Sequence, residues 1–135
     1  MAMFSKLGKY SNFALLVMRA GIGAMMVLHG YPKLLDGPER WAKLGGAMEN
    51  FGITYAPEFW GFMAAFAESV GGLLLVIGYM TRPAALLLFI TMVVAATKHI
   101  MGGDPFSKSY HSIELAFAFF GLFILGPGRY SIDKD

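Results

Sequence analysis

Phe59–Tyr79, FWGFMAAFAESVGGLLLVIGY, decides the fold. It is about twenty residues of nearly unbroken apolar sequence, the length a helix needs to cross a bilayer core of ~30 Å. One carboxylate, Glu68, stands near its middle. At helical spacing Gly61, Ala64, Ala65, Glu68, Gly71, Gly72 and Leu75 share one face, and most of them are small. Phe62, Phe66, Val70, Leu73, Leu74 and Ile77 form a second face suited to lipid. Small residues let a neighbouring helix approach closely, and a carboxylate inside a membrane has to find its partner on that side. The stretch predicts a membrane span built around one buried acid.

The rest of the composition agrees. The 135 residues are 56% hydrophobic and 15% charged, with a mean hydropathy of +0.56. A soluble domain of this size could not hide that much apolar surface, so the class is integral membrane protein. The net charge of +2, without a basic patch carrying interleaved aromatics, argues against nucleic acid as a partner. With no cysteine there is no disulfide, thiol relay, iron–sulfur cluster or c-type haem attachment. The first 30 residues are expected to stay as a span rather than be cleaved, because their apolar run contains Arg19 and no small-residue cleavage site follows.

Apolar runs and proline or glycine punctuation predict four spans, at about 13–30, 57–79, 84–101 and 110–126. Tyr31-Pro32 is expected to end the first and Gly126-Pro127-Gly128 the last. In the long connection between the first two, Asp36-Gly37-Pro38-Glu39 looks like a helix start. Trp41, Leu44, Met48 and Phe51 then fall on one side, opposite Arg40, Lys43 and Glu49. The predicted fold is all-α: a single-domain, antiparallel four-helix membrane bundle, with an amphipathic helix lying in the interface between spans one and two. Basic residues are tied between the two ends: Lys6, Lys9, Arg82, Arg129 and Lys134 against Lys33, Arg40, Lys43, Lys98 and Lys108. The first set sits in shorter segments near span ends, which places both termini in the cytoplasm.

Charged and imidazole side chains inside the spans are the candidates for chemistry. Counted from the expected span ends, Arg19 and Glu68 both lie roughly 15–16 Å deep at ~1.5 Å per residue, so they are expected to pair near mid-bilayer. That pair is either a structural lock or a proton or ligand anchor. His29, His99 and His111 fall at the opposite end from the termini, with Lys98 and Glu114 at similar depth. Three uses stay open: a hydrogen-bonded polar lid, a metal held by His29, His111 and Glu114, or a b-type haem between two histidines. No ligand spacing here matches a specific metal signature. Tyr31, Tyr55, Trp60, Phe66, Tyr110 and Phe117 could line an apolar pocket for a flat amphiphile such as a quinone, roofed by the helix around Trp41.

These motifs resemble the DoxX family of small four-span membrane proteins (DoxD/DoxX-like). The matching stretches are RAGIGAMMVLHGYPKL at Arg19–Leu34, AESVGGLLLVIG at Ala67–Gly78, TRPAA at Thr81–Ala85, Glu114, and the exit motif GPGRYSID at Gly126–Asp133. The resemblance covers essentially the whole chain. It implies a bacterial or archaeal cytoplasmic membrane protein with a redox-linked role, since the family includes the small subunit of thiosulfate:quinone oxidoreductase and members tied to oxidative stress. Arg19, His29, Lys33, Glu68, Arg82 and Glu114 carry over as family positions. The chain has no sequence for flavin or iron–sulfur binding, so an electron-transfer role requires a quinone or a protein partner in a membrane redox complex. The quinone head group is expected at His29, Lys98, His111 and Glu114. A membrane anchor for soluble redox enzymes and a small proton-coupled transporter are the competing readings.

Overall fold

The computed structural model describes residues 3–133, and among these the regular structure is helical with no strand. Lys134, one of the basic residues counted above, lies outside the described residues. After a short 3-10 helix at Ser5–Tyr10, helix α1 runs Ser11–Leu35. The stop expected at Tyr31-Pro32 does not occur. The helix continues through Pro32, and Asp36 N–H donates to Pro32 O at 3.0 Å. Proline withholds its own N–H but leaves the residues after it free to stay helical where packing rewards them. The added turn carries Lys33 alongside the next long helix.

Helix α2, Pro38–Gly45, begins where Asp36-Gly37-Pro38 was expected to start it, and a 3-10 helix, Gly46–Phe51, extends it. Helix α3 spans Pro57–Ile77 and ends at Gly78, which takes the left-handed conformation (φ 74°) that glycine adopts without strain. Helix α4, Thr81–Met101, follows directly. A 3-10 turn at Phe106–Ser109 leads into α5, Tyr110–Leu125. Three helical stretches are long and apolar enough to cross a membrane: Ser5–Leu35, Pro57–Ile77 and Thr81–Met101. Helix α5 has 16 residues, about 24 Å at ~1.5 Å per residue, and by itself falls short of that length.

The long helices pack side by side in the order α1–α3–α4–α5, and α2 lies on α3. Met26, Leu75, Ala84, Ala85, Leu88, Met92, Phe119 and Leu122 form the core between them. Glycine sets the spacing of α1 and α3. A Cβ on Gly23 would stand 2.5 Å from Gly72 O, and one on Gly30 would stand 2.5 Å from Ser69 N. At these points the two backbones touch, as small residues allow between apolar helices. The same device seats α2: a Cβ on Gly61 would collide with Trp41 O, and one on Gly45 with Pro57 O.

The tail after α5 folds back onto the α3–α4 turn. Asp133 N–H donates to Gly78 O, and the Asp133 carboxylate accepts from Met80 N–H and Thr81 N–H at 2.9 Å each. The tail thus supplies the N-terminal cap that α4 lacks in its own sequence, satisfying amide donors that no helical carbonyl can reach.

Candidate functional site

Glu68 is buried on α3 and its partner is Lys33, with Nζ to Oε2 at 2.8 Å; the two side chains keep 22% and 7% of their exposure. The expected Arg19–Glu68 pair does not form. Glu68 lies level with Gly30 on α1. Arg19, eleven residues earlier, is roughly 16 Å away along the helix at ~1.5 Å per residue. The extra turn through Pro32 makes the difference, because it moves the end of α1, and with it the depth of every residue, relative to α3. Arg19 is fully buried and donates to three carbonyls: Leu75 O at 2.7 Å, Pro127 O, and Tyr130 O at 2.7 Å. Its guanidinium caps the last turn of α3 and pins the exit tail. The end of the molecule that carries the exit tail therefore contains a buried arginine.

Lys33 and Glu68 line a slot of about 270 Å³ between α3 and α4. From α3 it takes Phe59, Trp60, Met63 and Ala64, and from α4 Thr91, Val94, Ala95 and Lys98. Leu44, Gly45, Ala47 and Met48 close it from above. The expected roof residue, Trp41, is one turn away: its indole N–H donates to Lys33 O at 3.1 Å and its ring meets Phe62 edge-on. Trp41 holds the roof down and Leu44–Met48 form it. Phe59, Leu87 and Ile90 line the slot and are also exposed on the outside of the molecule, so the slot opens sideways between α3 and α4. Trp60 stacks on Phe59, and its Nε1–H is buried with no partner among the described residues. A buried donor without an acceptor is costly unless something fills that role.

The four residues expected to hold a head group do not converge. His29 and His111 stack at 5.5 Å between ring centroids and line a separate groove of about 210 Å³ between α1 and α5. His29 Nδ1 is bonded to Met25 O at 2.9 Å. Lys98 belongs to the slot, and Glu114 is exposed and lines neither cavity. Among the described residues no group of three or more His, Cys, Asp or Glu side chains could hold a metal ion, so His29, His111 and Glu114 do not make a metal site. His99 turns to Asp104 at 2.9 Å, and this bond, assisted by the charges of Lys108 and Lys98, holds the Asp104 carboxyl below its usual range. Of the aromatics expected to line a pocket, Tyr31, Tyr55, Phe66, Tyr110 and Phe117 are exposed and only Trp60 lines the slot. The carried-over Arg82 donates to Phe123 O at 3.2 Å, beside the end of α5.

Sequence reasoning placed Glu68 correctly as a buried acid and carried Lys33 over only as a family position. The missed signals were the spacing of Lys33 from Gly30, one turn apart on the helix face that touches α3, and the indole donor of Trp60.

Residues 14–100 match the DoxX family model, a segment that includes Arg19, both partners of the Lys33–Glu68 pair, and Lys98. The chain belongs to the DoxX family. Two relatives match the chain over nearly its full length. Inner membrane protein YphA of Escherichia coli (strain K12) is 30% identical over 131 residues, covering 89% of this chain and 88% of that protein. An uncharacterized protein of Haemophilus influenzae is 30% identical over 136 residues, covering 96% of each. No solved structure matches this DoxX chain. With its apolar helices, this DoxX member is a membrane protein. The α1–α5 groove takes His111 and Leu115 from beyond the matched segment, whereas all the slot residues fall inside it.

Proposed function

We propose that this DoxX protein is a four-span protein of the cytoplasmic membrane that binds a quinone in the slot between α3 and α4, as the membrane subunit of a redox complex. The observation that carries the reading is the slot: an apolar cleft with the Lys33–Glu68 pair in its wall and the Lys98 ammonium near its roof. Quinone carbonyls are acceptors, and the slot offers them Lys33 and Lys98 as donors, while Trp60, Met63, Ala64, Ile90 and Val94 suit the ring. At about 270 Å³ the cleft suits a ring head group with its tail left outside. The sideways opening past Phe59, Leu87 and Ile90 gives the tail an exit into lipid. Electrons would come from a protein partner, because the chain has no sequence for flavin or iron–sulfur binding. The fourth span is the continuous helical run of Phe106–Ser109 and α5, and α2 rests on the outer interface above the slot. The transporter reading loses its motive, since Arg19 and Glu68 each have other partners.

The test is equilibrium binding of a radiolabelled short-chain quinone to the protein in lipid nanodiscs. Wild type should bind. The double change Lys33→Met, Glu68→Leu should weaken binding about tenfold, the effect of losing one or two polar contacts. His29→Ala and Glu114→Gln should bind as wild type does. Absence of binding to wild type, or equal binding by all variants, would replace this reading with that of a membrane anchor for soluble redox enzymes.

A further inference from the structure

The charge inside the slot sets its preference among ligands. Three charged side chains line it: Lys33, Glu68 and Lys98. Lys33 and Glu68 neutralise each other at 2.8 Å. Among the described residues Lys98 has no such partner. Its ammonium reaches Lys43 O, an uncharged carbonyl, at 3.4 Å. Asp104 lies near enough to feel the Lys98 charge, but its carboxylate is bonded to His99. The slot therefore carries one positive charge in excess, at the end nearest the roof. The remaining wall, Met63, Ala64, Ile90, Val94 and Ala95, is apolar.

We infer that the slot selects amphiphiles whose head group carries one negative charge on oxygen over neutral amphiphiles of the same shape. This rests on the quinone reading and narrows it to an ionised hydroxyquinone. A head group of this kind neutralises Lys98, whereas a neutral quinone leaves that charge uncompensated at the edge of an apolar wall. Because Lys98 is exposed, the attraction is screened, and a preference of about tenfold is expected rather than several hundredfold.

The experiment compares a 2-hydroxy-3-alkyl-1,4-naphthoquinone, ionised at neutral pH, with its uncharged 2-methoxy ether. Binding is measured to wild type, Lys98→Met and Lys98→Arg in nanodiscs, and each probe's partition into empty discs is subtracted. The hydroxy compound should bind wild type about tenfold more tightly than the ether. That ratio should fall below about threefold in Lys98→Met and survive in Lys98→Arg, which keeps the charge. Equal binding of both compounds to wild type would overturn the charge preference and leave the quinone reading standing. A tenfold ratio that persists in Lys98→Met would overturn the assignment to Lys98. Absence of binding by either compound would overturn both readings together. A third arm uses decanoate as competitor. Competition that depends on Lys98 assigns recognition to the anion itself and supports the proposal. Competition by decanoate that is indifferent to Lys98 would count against it.

Discussion

Glu68 and Arg19 solve the same physical problem in opposite ways. Each is an ionised group inside an apolar helix packing, where an unpaired charge costs several kcal/mol. Glu68 is neutralised by a countercharge, Lys33, whereas Arg19 spreads its charge over three backbone carbonyls. The two therefore respond differently to mutation. Glu68→Ala strands the Lys33 ammonium and should lower stability by about 3–5 kcal/mol, while Lys33→Met, Glu68→Leu removes both charges and should cost clearly less. Denaturant unfolding in mild detergent checks this, and equal losses in the single and double variants would mean that the pair is not coupled. Among the described residues Arg19 is bonded to carbonyls alone, with the Asp133 charge acting on it without a bond, so Arg19→Met should leave Leu75 O, Pro127 O and Tyr130 O short of a donor and loosen the tail. That Glu68 is buried and paired was legible from its position amid small residues. The identity of its partner was not, because it depends on whether a helix stops at Pro32, and a proline permits either outcome.

Two elements are held by contacts that a hydrophobicity pattern does not reveal. Helix α2 sits on α3 because Gly45 and Gly61 remove the side chains that would keep the backbones apart. Gly61→Ala should lift α2 from α3, cost about 1–3 kcal/mol through overpacking and open the roof of the slot. The measurement is Trp41 emission, which should shift to longer wavelength as the indole leaves Phe62 and Lys33 O. The amphipathic pattern of Trp41, Leu44 and Met48 announced the helix, but only the glycines determine where it lies. The second element is the exit tail, whose Asp133 caps α4. Burial pushes the Asp133 carboxyl up, but the backbone donors of Thr81 and Met80 and the charge of Arg19 outweigh it, and the net direction is down. A folded value below the unfolded ~3.9 means the stabilisation is fully present above about pH 5. It declines as pH falls toward and through the folded value. Asp133→Asn should thus be less stable than wild type at neutral pH by about 0.5–2 kcal/mol, the usual worth of a helix cap. The gap between the two should close only as the pH falls below about 4, and a gap independent of pH would show that the carboxylate charge is not involved.

At the scale of the whole molecule, the tie in basic residues between the two ends is broken by what those residues do. Lys33 is neutralised by Glu68. It is not free to act at the membrane surface as Lys6, Lys9 and Arg129 are, and surface lysine and arginine close to span ends are what orient a membrane protein. Arg40 is offset in the same way by Asp36, at 2.9 Å. The all-α class and the positions of the long helices were legible from apolar runs of span length, whereas the orientation rested on segment lengths alone until paired charges were separated from unpaired ones. The expected outcome is that both termini face the cytoplasm, with the slot and its roof toward the outer leaflet. The complete absence of cysteine makes this directly measurable. Single cysteines at Ser5 and Arg129 should react with a membrane-impermeant maleimide only after the cells are opened. Single cysteines at Asn50, beside the roof, and at Ser107, before α5, should react in intact cells. Labelling of Asn50→Cys and Ser107→Cys from opposite sides would mean that α5 does not follow a full crossing by α4. Labelling of all four sites in the reverse sense would place the slot on the cytoplasmic side, within direct reach of soluble redox partners.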